Sequence, residues 1–364
     1  MISFGLTEEQ ELVRSTLREF ASDVVRPIAR ECDEASKLSE EFLAQVWDLS
    51  LVSTQLPDAY GGGGEPRSPI TNALILEELG CGDATLALAA LAPAGFAFAI
   101  ADQGSEAQKK QYLPLFSGQS YHAACLAVDE PGPASNAAAP RTLAEPDGGG
   151  YRLSGAKCLV PMADRASHFL VIAGVGDDLG AFIVARDAEG LRVSEPERNL
   201  GLRALPTATL EFERVAVSAS DRLGGPSGCE VQRLLNHSRA ALAAVMVGVS
   251  RAAIEYATPY AKERRAFGQA IAQKQAIAFR LADMHIETES SRWLTWKAAS
   301  QLERGLDATR AAHLALTYAA EKAMWVTDQG VQVLGGHGFI REHPVEMWYR
   351  NSRTLGVLEG GLAL

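Results

Sequence analysis

The periodicity of apolar residues changes twice along the chain, and those two changes limit the folds open to it. Up to about residue 120 the spacing is helical. Thr7-Glu8-Glu9-Gln10 has the form of a capping box, after which Val13, Leu17, Phe20, Val24 and Ile28 recur on one helical face. Phe42, Val46, Trp47 and Leu49 mark a second helix, and further helices are expected near 69–80 and 83–102. Ser105-Glu106-Ala107-Gln108 is another capping-box candidate. Gly61 to Gly64 reads as a mobile loop. It is no phosphate loop, because no Gly-Lys-Ser/Thr follows.

Short β-branched and apolar runs then replace the helical pattern near 121–128, 151–160, 168–175, 179–186 and 207–216, with turn signals such as Asp147-Gly148-Gly149-Gly150 between them. No strand–GxGxxG–helix unit appears, which argues against a Rossmann domain. From about 227 the period is helical again. Leu234, Leu235, Ala241 and Val245 lead one long helix, Ile277, Leu281 and Met284 a second, and Ala315, Ala319, Met324 and Val326 a third. The expectation is an α+β chain: an N-terminal helical domain (1–120), a central β-domain (121–226) and a C-terminal helical domain resembling a four-helix bundle (227–364).

Charge narrows the function. The formal net charge is −11 and the pI about 5.2, against the basic stripe of a nucleic-acid binder. An anionic ligand needs a local cationic site that works against this global field. Asp83 to Asp102 is nearly continuous Ala, Leu, Phe and Ile, but Pro93 and Gly95 interrupt it, and a buried helix is expected rather than a membrane span. The five cysteines show no C-x-x-C pair and the N-terminus is acidic, so we expect reduced thiols in a cytoplasmic protein. The seven histidines show no metal spacing, so no metal is expected.

Chemistry concentrates near the end. Gln332-Val333-Leu334-Gly335-Gly336-His337-Gly338-Phe339 leads into Pro344-Val345-Glu346-Met347-Trp348-Tyr349-Arg350 and then Leu358-Glu359-Gly360-Gly361. The glycines allow positive φ and bare N–H groups that a diphosphate can rest on. A helix C-cap followed by a tight turn explains them as well. Lys262-Glu263-Arg264-Arg265-Ala266-Phe267-Gly268-Gln269, with Gln275 six residues later, adds a basic pair that also suits a helix end.

These two stretches resemble the signatures of the acyl-CoA dehydrogenase family, and the likeness extends over nearly the whole chain, including the order helices, strands, helices. The resemblance implies FAD as cofactor, an acyl-CoA thioester as substrate and an electron-transfer flavoprotein as acceptor. It assigns Arg264, Phe267, Gln275, Gln332, Gly335 and Gly336 to the FAD of a neighbouring subunit. Arg264 supplies a fork of donors to the diphosphate and Phe267 packs on the cofactor. Glu359 takes the place of the catalytic base, with Gly360 beside it at the substrate. Some members carry the base on a long helix just before an arginine. Here that position is Ser238, which cannot serve, and Arg239 follows it near the substrate. Members usually continue through a further helix, whereas five residues follow Glu359 here.

The β-domain departs from the family pattern. Where members carry Thr-Glu-Pro-Gly-x-Gly-Ser-Asp, this chain has Asp129-Glu130-Pro131-Gly132-Pro133-Ala134-Ser135-Asn136, so that only Ser135 keeps its type among the polar flavin contacts. Where members carry Lys-x-Trp-Ile-Thr, it has Lys157-Cys158-Leu159-Val160-Pro161. Leu159 offers no stacking face and Pro161 neither hydroxyl nor N–H. Asp129 sets a carboxylate near a ring that becomes negative on reduction. The parts lent to a neighbour are kept, and the parts that hold a subunit's own ring are largely lost. Two-gene heterotetramers, including bacterial ones that degrade steroid side chains, offer a precedent. The expectation is therefore one subunit of a mixed acyl-CoA dehydrogenase, paired with a paralogous chain or, failing that, with itself as a tetramer. A non-catalytic scaffold that completes a partner's FAD site is the alternative. A relative with oxidase or nitroalkane-type chemistry is a third reading.

Overall fold

The computed structural model describes residues 5–133 and 135–364. Its helices are α1 (Glu8–Phe20), α2 (Arg26–Ala35), α3 (Glu40–Asp48), α4 (Pro69–Gly82), α5 (Ala84–Gln103), α6 (Glu106–Tyr112), α7 (Val231–Glu263), α8 (Gln275–Glu303), α9 (Thr309–Leu334) and α10 (Val345–Leu355). The strands are β1 (Cys125–Ala127), β2 (Leu143–Asp147), β3 (Gly150–Pro161), β4 (His168–Val175), β5 (Asp178–Ala185), β6 (Leu191–Val193), β7 (Thr207–Ser218), β8 (Arg265–Ala266) and β9 (Gln269–Ala270).

Local chemistry starts the helices where the sequence places them. Thr7 and Ser105 both close full capping boxes, and Asp83 accepts the Leu86 N–H to start α5. Between α1 and α2 the helix loosens into a π-helical turn over Ala21–Val25, which the uninterrupted apolar pattern does not announce. Residues Gly61–Gly64 are stitched down instead of forming the expected mobile loop. The Gly63 N–H donates to Ser53 O and the Gly64 N–H to Leu56 O, both at 2.9 Å.

Helix α4 joins α7, α8 and α9 in the long bundle, so the N-terminal part supplies the fourth helix. Glycines let α4 and α7 cross backbone to backbone. A Cβ on Gly80 would lie 2.7 Å from Val245 O, and one on Gly248 would lie 2.3 Å from Glu77 O. Charges lock the same crossing: Arg251 of α7 donates to Glu77 and Glu78, and Arg292 of α8 also donates to Glu77. Helices α5 and α7 are long and apolar enough to cross a membrane, but 94% and 78% of their apolar windows are buried inside the protein.

The seven-stranded sheet runs β1-β4-β2-β3-β7-β6, with β5 also on β4. Strands β1 and β2 run parallel to β4, and the other pairs are antiparallel. The expected turn closes the β2–β3 hairpin at Asp147 and Gly150. Two strands of this sheet escape the sequence pattern. Strand β2 is mostly exposed and contains Pro146, tolerated because β2 meets β4 only at Leu143. Strand β6 is three residues long. The run near 121–128 yields only Cys125–Ala127 as strand.

Candidate active site

After α10 the chain turns inward. Helix α10 is anchored from several sides. Arg350 donates to both oxygens of Asp33 (3.0 and 2.8 Å), and Asn351 Oδ1 accepts the Leu202 N–H at 2.8 Å. Beyond Gly356, the residues Gly360 to Leu364 are all buried. They thread between α5, the sheet and α7 with no room for Cβ atoms at two points. A Cβ on Gly360 would lie 2.6 Å from Val128, and one on Gly361, at φ 103°, would lie 2.8 Å from Pro161. At the inner end Leu364 O faces His237 Nδ1 at 3.0 Å. Burial pushes His237 down to about 3, so it is neutral and Nδ1 carries the proton.

Glu359 stands at the mouth of this segment. Its Oε1 accepts from Arg239 Nε at 2.7 Å and from Arg239 Nη2. The carboxylate is about a quarter exposed and Arg239 nearly buried, so the pair lies in a crevice, not in bulk water. Ser238 next to it is fully buried, and its Oγ has no hydrogen-bond partner among the described residues.

The backbone of the same segment meets Asp129. The Glu359 N–H donates to both Asp129 oxygens (3.2 and 3.1 Å), and the Gly360 N–H donates to Oδ2 (3.2 Å). Burial raises the Asp129 carboxyl to about 6, the Glu359 charge adds to the rise, and the two amides and Lys157 oppose it. A folded pKa raised in this way favours the fold below about pH 4. That contribution is lost as pH rises through about 6. Behind Asp129 lies an ion pair sealed from water. Lys157 Nζ donates to Glu130 Oε1 and to Val128 O, both at 2.9 Å. Burial alone would raise Glu130. The Arg141 and Thr142 N–H groups (2.8 Å each) and Lys157 outweigh it and hold the carboxyl near 2.

The residues expected at a neighbour's flavin gather elsewhere. Arg264 caps α7, and the β8–β9 hairpin follows with Phe267 and Gly268 at its turn, both at positive φ (54° and 81°). Phe267 is 94% exposed, with Lys274 Nζ 5.6 Å from its ring centre. Gln275, Gln332, Gly335 and Gly336 are exposed as well. A Cβ on Gly335 or Gly336 would meet nothing within 4 Å, so the bare backbone faces open space. Tyr260, unnoticed in the sequence, joins the two halves: one turn before Arg264, its hydroxyl reaches Leu334 O (3.4 Å) and His337 Nδ1 (3.2 Å). The exposed guanidinium and the bare glycine backbone are of the kind that can hold a diphosphate.

The ring-side positions fit a flavin poorly. Leu159 sits at φ 53° where the β3–β7 register slips, and its N–H is turned to Glu197 at 3.3 Å. Pro161 packs against Gly361. Ser135 keeps its hydroxyl, but that oxygen accepts the Glu130 N–H at 3.0 Å. Among the described residues no group of three or more His, Cys, Asp or Glu is placed to hold a metal ion.

Arg239, beside the candidate base, and Arg264, in the cradle, stand 25 positions apart on and just past α7. That is about 37 Å at 1.5 Å per residue. The candidate base and the cradle therefore lie at opposite ends of α7.

Comparison with known proteins agrees with this architecture. Family models for the N-terminal, middle and C-terminal domains of acyl-CoA dehydrogenases match residues 7–119, 125–215 and 229–362. The chain is 34% identical to a short-chain specific acyl-CoA dehydrogenase of Clostridium acetobutylicum, over 99% of this chain and 96% of that one. It is 33% identical to the mitochondrial short-chain specific enzyme of Bos taurus, over 98% and 88%. Butyryl-CoA dehydrogenase from Megasphaera elsdenii superposes with a TM-score of 0.88 at 29% identity, over 99% of this chain and 96% of that one. The fold, the paired signatures and these full-length matches lead to one conclusion: this chain belongs to the acyl-CoA dehydrogenase family, whose cofactor is FAD.

Proposed function

We propose that this chain is one subunit of a heteromeric, FAD-dependent acyl-CoA dehydrogenase. In that assembly Glu359 removes the α-proton of an acyl-CoA thioester, and the Arg264–Gly336 cradle completes the FAD site of a paralogous partner. One observation carries the reading. The open diphosphate cradle lies about 37 Å along α7 from the candidate base, while the ring-side positions Asp129, Leu159 and Pro161 are engaged within the chain.

FAD bound in the complex beside Glu359 would supply the acceptor for the substrate's β-hydrogen as hydride. The chain's own residues do the rest. Glu359 takes the α-proton from a crevice that limits water. Arg239 holds the carboxylate in place until substrate enters, and its guanidinium is then left beside the thioester. Arg264 and the Gly335 and Gly336 amides hold phosphate oxygens. Electron-transfer flavoprotein is the expected acceptor; faster turnover with oxygen would move the protein to the oxidase reading.

Arg264→Ala in the assembled complex tests the cradle. Losing a charge-assisted contact of about 2 kcal/mol should weaken FAD roughly 30-fold. Flavin retained through dialysis, read as visible absorbance per protein, should fall while assembly persists. Full retention would contradict the assignment. The scaffold reading is favoured by the Arg239–Glu359 pairing and the Asp129 contacts. It is separated from the enzyme reading by Glu359→Gln, argued below.

A further inference from the structure

A thioester whose α-proton Glu359 removes carries its carbonyl on the neighbouring carbon, within reach of donors next to the base. Here two consecutive amides, those of Glu359 and Gly360, converge on a single point, and a carboxylate of the same protein fills it. The Asp129 carboxylate takes all three hydrogen bonds they offer, at 3.1–3.2 Å, and is nearly buried. Paired amides of this kind stabilise a developing oxyanion when nothing else occupies them.

We propose that Asp129 is an internal occupant of the carbonyl-binding amides, and that an acyl-CoA thioester must displace its carboxylate to bind productively. This rests on the reading of Glu359 as the base beside an acyl-CoA thioester. The groups facing Asp129 set the balance. Lys157 and Cys158 face it from β3, Glu130 follows it in the chain, Glu359 closes over it, and Arg239 of α7 stands behind Glu359. Lys157 is committed to Glu130 and Val128 O, and Arg239 to Glu359, so neither of these cations is free to draw the carboxylate away. Protonation, which begins near pH 6, weakens Asp129 as an acceptor and releases the amides.

If the competent form is the protonated one, affinity scales with its fraction, and binding should weaken on the order of 10²-fold between pH 5 and pH 8. The probes are butyryl-CoA and its thioether analogue, in which the carbonyl is a methylene. Both carry the same phosphates, so the titration of CoA itself cancels. Calorimetry on the assembled complex should show the pH-dependent loss for butyryl-CoA and not for the thioether. Asp129→Ala should bind butyryl-CoA at pH 8 at least 10-fold more tightly than the parent, with a flattened pH profile and unchanged thioether affinity. Asp129→Asn, closer in shape, guards against a folding defect and should also flatten the profile. Thioester binding that is as tight at pH 8 as at pH 5 in the parent, and unmoved in both variants, would overturn the role of Asp129 and leave the acyl-CoA reading standing. Absence of binding by either CoA compound in any variant at any pH would overturn both.

Discussion

Replacing Glu359 with glutamine in the flavin-loaded complex is expected to lower turnover by about 10²–10⁴-fold, the range set by removing a positioned general base. Substrate affinity should change by only a few-fold. Glutamine keeps the length of the side chain and an oxygen able to accept from Arg239, so the crevice keeps its shape. Ser238 cannot compensate, because its hydroxyl on α7 is fully buried and is no base at neutral pH. Stopped-flow reduction of the bound flavin by acyl-CoA isolates the step from later electron transfer. Undiminished reduction would remove Glu359 from the chemistry and favour the scaffold reading.

Lys157→Met should destabilise the fold by about 3–5 kcal/mol, the usual penalty for removing one partner of a buried ion pair. The ammonium is fully buried and donates to both Glu130 and Val128 O. Without it the Glu130 carboxylate keeps the Arg141 and Thr142 amides and a long contact to the exposed Arg141 guanidinium (3.5 Å), and the Val128 carbonyl loses a donor. The effect has a pH signature. Glu130 is held near 2, below its unfolded value, so the pair stabilises the fold fully above about pH 4.5 and loses that contribution as pH falls toward 2. Urea unfolding at pH 7 measures the loss, which should shrink at pH 3. A penalty below about 1 kcal/mol at pH 7 would show that the two amides and Arg141 satisfy Glu130 without Lys157. Val128 also leads directly into Asp129, so slack introduced here reaches the amides of Glu359.

The parts legible in the sequence are those written in local spacing. Thr7 and Ser105 announced their caps, the helical and two-residue periods separated helix from strand, and Gly335 marked the end of α9. The parts that were not legible depend on contacts far apart in the chain. Asp129 was read as a carboxylate near a flavin ring. Its bonds to the Glu359 and Gly360 amides span 230 residues, and no local pattern encodes them. Glu359 was read as a lone carboxylate, and the structure pairs it with Arg239, 120 residues earlier. Tyr260 carried no signal in the sequence, because only the fold brings Leu334 and His337 beside it. Strand β2 was hidden by its proline and its exposure.

The central claim is that this chain lends a diphosphate cradle to another chain's flavin and retains no flavin unless a partner chain is bound. Flavin per polypeptide, measured for the chain purified alone and again when co-purified with its paralogous partner, tests it most directly. The account predicts a colourless lone chain and a yellow, active complex. A lone chain that is yellow at one flavin per subunit and active as a homotetramer would contradict it.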